Sequence, residues 1–148
     1  MRYLSNFLTI TALLAAQNVV TKIGWSDLPV AVQSAAKKQK TPRDAKVAYV
    51  KLVRAGVPYF EMKVDAGDGR DQEILFRSDG SIAETEEAVP IASVPAPVRA
   101  AIQQAARNGK LLKVDRILRD GKTFYEGEFM ENGVKKKPIF NSAGEKVE

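Results

Sequence analysis

The chain has 148 residues, 23 Lys/Arg against 18 Asp/Glu for a formal net charge of +5, and neither Cys nor His. That length suits one ordinary domain or two very small ones. Without Cys there is no disulfide, thiolate nucleophile or cysteine metal site, and without His the commonest general base and transition-metal ligand are missing.

The N-terminus reads as an export leader. Arg2 is a minimal positive start, and Phe7 to Ala16 is an apolar stretch too short to span a bilayer comfortably. Ala15-Ala16 offers small residues for cleavage, expected within 16–24, so 1–24 is assigned to the leader. The competing reading is an amphipathic or buried N-terminal helix. No later apolar run can span a membrane. An exported chain without cysteines points to a bacterial envelope, periplasmic or secreted.

A helix is predicted next, over 28–40. Ser26 and Asp27 can cap it, Pro29 falls in its first turn, and Leu28, Val32, Ala35 and Ala36 share one face. Strands follow at Val47–Arg54, Tyr59–Val64 and Gln72–Arg77, with a short fourth at Ile82–Glu84. Ala55-Gly56, Asp65–Gly69 and Asp79-Gly80 supply the turns. Ala88–Pro97, with Pro90, Pro95 and Pro97, reads as a short linker. A second helix is predicted over 94–107, with Ser93 as cap and Asn108-Gly109 as stop. Lys113–Leu118, Phe124–Met130 and Lys135–Phe140 are the next strands, and Ala143-Gly144 leads into Lys146-Val147.

These signals come twice. Leu28-Pro29-x-x-Val32 returns as Val94-Pro95-x-x-Val98. Tyr59-Phe60-Glu61 returns as Phe124-Tyr125-Glu126. Phe76-Arg77-Ser78-Asp79-Gly80 returns as Phe140-Asn141-Ser142-Ala143-Gly144. The order is kept at an offset drifting from 66 to 64 residues. The predicted fold class is therefore α+β, a tandem repeat of a helix packed on an antiparallel β-meander, with units at 25–88 and 89–148. Each is marginal for an independent core, so the two should share a surface.

Alternation separates two faces on each strand. Phe60, Met62 and Val64 oppose Tyr59, Glu61 and Lys63; Tyr125, Gly127 and Phe129 oppose Phe124, Glu126 and Glu128. The apolar set belongs under the helix. Tyr59 and Phe124 then stand among charges on the open face, where an aromatic can anchor a partner or simply pack on the other unit or a loop. The second unit holds the positive charge, 11 Lys/Arg against 7 Asp/Glu in 89–148, compared with 10 against 11 in 26–88. Lys135, Lys136 and Lys137 form a basic hairpin that can favour an anionic partner or be a solvated face.

The Leu-Pro-x-x-Val helix start, the Tyr-Phe-Glu strand after a Gly turn and the Phe-x-x-Asp-Gly close resemble the PepSY-like family, which includes periplasmic proteins likened to β-lactamase-inhibitory protein. The resemblance covers residues 25–148; Ala143 stands where Asp is usual, and Val94 where Leu is. It implies a helix-plus-sheet module of the envelope used for inhibition or ligand binding, with inhibition of a peptidase or β-lactamase implied by the family name, and it implies no catalytic residues.

Catalytic patterns are sparse. Ser34-Ala35-Ala36-Lys37 matches Ser-x-x-Lys but lies inside an ordinary helix without companion motifs. Asp65, Asp68 and Asp71 are spaced for a turn rather than a calcium loop. Acidic residues beside Phe124 argue against nucleic acid. The expectation is a non-catalytic module without cofactor or metal. It presents Tyr59, Glu61, Phe124, Glu126 and the Lys135–Lys137 hairpin to a protein or peptide partner in the envelope. The alternatives are a structural envelope protein and a hydrolase using Glu61 and Glu126.

Overall fold

Alternating runs punctuated by glycine turns make hairpins, and here successive hairpins join into one sheet. The computed structural model describes residues 19–148, so the leader features Arg2 and Phe7–Ala16 lie outside the described residues. The strands are β1 (Val19–Ile23), β2 (Lys46–Arg54), β3 (Val57–Asp65), β4 (Gln72–Arg77), β5 (Ile82–Ala88), β6 (Lys110–Arg119), β7 (Lys122–Glu131), β8 (Val134–Lys136) and β9 (Ile139–Asn141). Two α-helices interrupt them, α1 (Val30–Ala36) and α2 (Ala96–Ala105). Strands β1 to β8 are neighbours in sequence order, all antiparallel, and β9 pairs with β7. Among the described residues no helix is long and apolar enough to cross a membrane.

This corrects the expected fold. The chain is mostly β and forms one continuous sheet, not a tandem α+β repeat of separate helix-on-meander units. The strand expected to stop at Glu84 runs to Ala88, and its residues Glu84 to Ala88 pair with Arg119 to Asp115 of β6. Two separate sheets would each expose an extra unpaired edge; joining them at β5 and β6 removes both. The charged run Glu84-Thr85-Glu86-Glu87 looks poor for a strand, yet its alternation sends Glu84 and Glu86 to one face and Thr85 and Glu87 to the other.

Three further expectations shift. Pro29 and Pro95 are the N-cap residues of α1 and α2, in extended conformation, so the helices begin at Val30 and Ala96. Asp27 and Ser93 instead brace short 3-10 turns ahead of the two helices, and Ser26 lies within the first. The Gly24 N–H donates to Asp27 Oδ2 at 2.8 Å, and Ser93 Oγ donates to the Pro90 carbonyl at 2.7 Å. The strand predicted over Lys135–Phe140 breaks in two around Pro138, which has no N–H for a ladder. Residues 19–23, inside the stretch assigned to the leader, form β1, paired with β2 from Val19↔Val53 to Ile23↔Tyr49.

Both helices cover the same face. Leu28, Val32 and Ala36 pack on Phe60, Met62, Val64, Ile74 and Phe76. Val94, Val98 and Ile102 pack on Val114 and Phe140. Val32 and Val98, expected to be buried, are 1% and 0% exposed. A glycine seats each helix on the sheet. Gly80 and Gly144 adopt φ of +83° and +82°, and a Cβ on them would stand 2.6 Å from the Ala31 and Pro97 carbonyl oxygens respectively. Only glycine tolerates both the conformation and the approach.

Candidate functional site

The face away from the helices is built from the alternate residues of the same strands. Register arranges them in rows across the sheet. One row runs Lys63, Glu73, Glu86, Ile117, Phe124 and Asn141. The next runs Val50, Glu61, Leu75, Glu84, Arg119 and Lys122. A third holds Ala88, Asp115, Glu126 and Ile139.

The buried charged residues are all carboxylates of this face: Glu61, Glu84, Asp115, Glu126 and Glu128. Each lies beneath a cation whose aliphatic stem helps to cover it. Lys63 Nζ bridges Glu61 and Glu73 at 3.0 and 2.9 Å. Lys113 Nζ stands 3.0 Å from Asp115 Oδ2, an ion pair only, since no hydrogen bond reaches that oxygen. Lys137 Nζ bridges Glu126 and Glu128 at 3.0 and 3.1 Å, and Lys135 adds a 2.6 Å contact to Glu128. Arg119 joins Glu84 to Glu148. Burial raises the pKa of Glu61, Asp115 and Glu126 above the ordinary carboxylate range, against the lowering influence of their lysines. Burial also opposes the charge of Lys137, but Glu126 and Glu128 outweigh it and hold its pKa above the usual range.

Glu86 differs. Among the described residues no cation forms an ion pair with it. Burial first, then the charges of Glu73, Glu126 and Glu84, push its pKa up to about 8. It borders a cleft of about 510 Å³ with Arg54, Glu84, Arg119, Glu126 and Lys137. Oxygens of Glu86, Asp115 and Glu126 come within 4.8 Å of one another. Lys113 and Lys137 already neutralise two of the three, so the group is suited to ion pairing and to a held proton rather than to a cation.

The residues singled out in the sequence are placed unevenly by this geometry. Tyr59 is half-buried near one end, opposite Leu52 and Arg77. Phe124 is half-buried near the other, with the Arg119 guanidinium 5.7 Å over its ring. Four strand steps along the sheet separate β3 from β7. The two aromatics thus belong to one face, on strands four steps apart. Glu61 and Glu126 are likewise four strands apart along the sheet, and each is paired with its own lysine. Both lie beneath lysines and position them. Lys135 and Lys137 are held by carboxylates of the open face, whereas Lys136 stands opposite Phe129 and pairs with Glu131 on the helix side. The basic hairpin is therefore neutralised internally.

Glu84, Glu86, Asp115 and Arg119 escaped the sequence reading, although Glu84-x-Glu86 and Asp115-x-Ile117-x-Arg119 carry the same period-two signal. The weaker motifs resolve simply. Ser34 Oγ donates to the Val30 carbonyl at 2.9 Å, and Lys37 Nζ sits 5.5 Å from the Trp25 ring centre. Asp65, Asp68 and Asp71 accept backbone N–H groups of their own turn, from Gly67, Arg70 and Ala66 respectively.

No protein-family model matches this chain, and no curated protein does. Solved structures share its fold. A DUF2874 family protein from Bacteroides uniformis superposes with a TM-score of 0.59 at 19% identity, over 81% of this chain and 86% of that one. A BLIP-like protein from Bacteroides fragilis gives 0.54 at 24% identity, over 80% and 82%. A protein from Bacteroides eggerthii, provisionally described as periplasmic, gives 0.56 at 17%, over 82% and 86%. The chain therefore has the fold of DUF2874 and BLIP-like proteins.

Proposed function

We propose that the chain is a non-catalytic binding module of the bacterial envelope that offers the open face of its sheet to a protein or peptide partner. The observation that carries this reading is the face itself. Both helices lie on the opposite side, and the open side holds an ordered lattice of ion pairs with a half-buried aromatic near each end, Tyr59 and Phe124. Pre-ordered charges cost little further ordering on association and set orientation, while exposed ring surface supplies the apolar contact. The BLIP-like and periplasmic descriptions of two structural neighbours agree with a binder in that compartment. No His or Cys is present, Ser34 is spent on a backbone carbonyl, and Glu61 and Glu126 are each ion-paired to a lysine.

The test is affinity capture from an envelope extract by the wild-type chain, by Tyr59→Ala with Phe124→Ala, and by a helix-side surface variant, Arg99→Ala. Loss of capture with the aromatic variant alone, with its circular dichroism unchanged, supports the reading. Capture lost only with Arg99→Ala would move the interface to the helix side. Phe124→Ala alone should weaken association by about 1 kcal/mol or more.

A further inference from the structure

The pairing of β5 with β6 joins the two halves of the sheet, and its open side is not neutralised as the rest of the face is. Glu86 sits in mid-strand on β5. From β4, Glu73 lies directly opposite; along β5 itself, Glu84 is its neighbour on the same face. From β6, Ile117 lies opposite, with Asp115 and Arg119 two residues to either side. From β7, Glu126 approaches, and Lys137 reaches in from the connection between β8 and β9. Arg54 at the end of β2 and Glu148 complete the cleft. Every cation of this environment is engaged elsewhere: Lys63 with Glu61 and Glu73, Lys113 with Asp115, Lys137 with Glu126 and Glu128, Arg119 with Glu84 and Glu148, and Arg54 with Glu84 at 3.9 Å. The cleft's ionisable lining holds Arg54, Arg119 and Lys137 against Glu84, Glu86, Glu126 and Glu148, so it balances only when one carboxyl keeps its proton.

We propose that the joint between the two halves of the sheet is a proton-dependent latch, closed while Glu86 is protonated and loosened when it ionises. An ionised Glu86 places an unpaired charge among Glu73, Glu84, Asp115 and Glu126, and the repulsion acts across both pairings of β5 and across the β6–β7 pair beyond. Two ion pairs cross the joint between β5 and β6. Its outer supports are the Arg116–Glu87 and Arg119–Glu84 pairs, and the Arg116 pair lies on the exposed helix side.

The sign follows from linkage. An unfolded Glu86 releases its proton near pH 4.5, whereas the folded one holds it to about 8. The folded state therefore binds more protons between those limits, and stability must fall as pH rises across the window and level off above it. The raised carboxyls of Glu61, Asp115 and Glu126 slope the same way, so the measurement is a difference between proteins.

Urea unfolding of the wild-type chain and of Glu86→Gln, which fixes the neutral form, is followed from pH 5 to 9.5 in the presence of a chelator. The wild-type unfolding equilibrium constant is expected to rise at least tenfold more than the variant's over that range, with most of the difference gained by pH 8.5. Parallel curves would overturn the proposal. Amide exchange, corrected for intrinsic base catalysis, should show protection at residues 84–88 and 115–119 falling with pH in the wild type more than in β2 and β3. A uniform loss across the sheet would overturn the latch. Should Glu86→Gln fail to fold, carbon-13 titration of the wild-type glutamate carboxyls decides. A resonance at residue 86 with its titration midpoint above pH 6 supports the latch, and a midpoint below pH 6 refutes it.

Discussion

The two faces of this sheet are made by the same strands, residue by alternate residue, yet they are held by different forces. Under the helices, Phe60, Met62, Val64, Ile74 and Phe76 bury apolar surface against α1, and Val114 and Phe140 against α2. On the open side, Glu61, Glu84, Asp115, Glu126 and Glu128 are equally buried, but beneath lysine and arginine side chains rather than a helix. The first face is stabilised by an effect indifferent to pH and favoured by salt; the second depends on both. Alternation thus gives one sheet two separately tunable halves of its stability.

The contrast is broken most severely from the helix side. Phe76→Ala should cost about 3–5 kcal/mol, and Val32→Ala or Val98→Ala roughly 1–2.5 kcal/mol, from lost burial and residual cavities. Urea midpoints should show the same loss at pH 6 and at pH 8. A cost that varied strongly with pH would mean that the helix face shares the electrostatics of the open one. Next in size is Gly144→Ala, expected to cost about 1–3 kcal/mol because the new methyl meets the Pro97 carbonyl at a positive φ. Loss of α2 ellipticity without loss of strand signal would localise the damage to the helix seat.

The open face should respond less and differently. Lys137→Met strands Glu126 and Glu128, but the ammonium it removes is half-exposed, so the expected cost is only about 1 kcal/mol at neutral pH. That cost should fade towards pH 4 as Glu126 takes up a proton, and a thermal scan at the two pH values checks it. A cost unchanged at pH 4 would assign the effect to the lost side-chain stem. Smallest of all is Arg70→Ala. Its partner Asp68 is in the exposed turn between β3 and β4, and the melting temperature should not move.

Much of this was readable in the residues. The strands Tyr59–Val64, Gln72–Arg77 and Phe124–Met130, and the division of their faces, follow from alternation alone, as does the burial of Val32 and Val98. The joining strand did not follow, because Glu84-Thr85-Glu86-Glu87 carries no apolar alternation and its partners on β6 lie beyond a helix. Pairing across that distance is a tertiary matter, and it overrode weak local propensity. The candidate site was half visible. Tyr59 and Phe124 were placed correctly on the open face, but the ion-pair network on Lys63, Lys113 and Lys137 emerges only when register brings charges from adjacent strands together. Lys135, Lys136 and Lys137 look like a patch in a linear sequence. Lys135 and Lys136 alternate on β8, Lys137 follows it, and their charges are spent on both sides of the sheet.

The strictly sequential order of β1 to β8 also sets how the chain assembles. Ala55-Gly56, Asp120-Gly121 and Asn132-Gly133 each close a hairpin across two residues, so these pairings need almost no loop closure. Two closures are longer, β1 onto β2 across 24–45 and β5 onto β6 across 89–109, and each encloses a helix. Loop entropy grows only slowly with such lengths, and local pairings form fastest. The three short hairpins are therefore expected to close fastest, and the two helix-enclosing closures to be the slower steps of assembly.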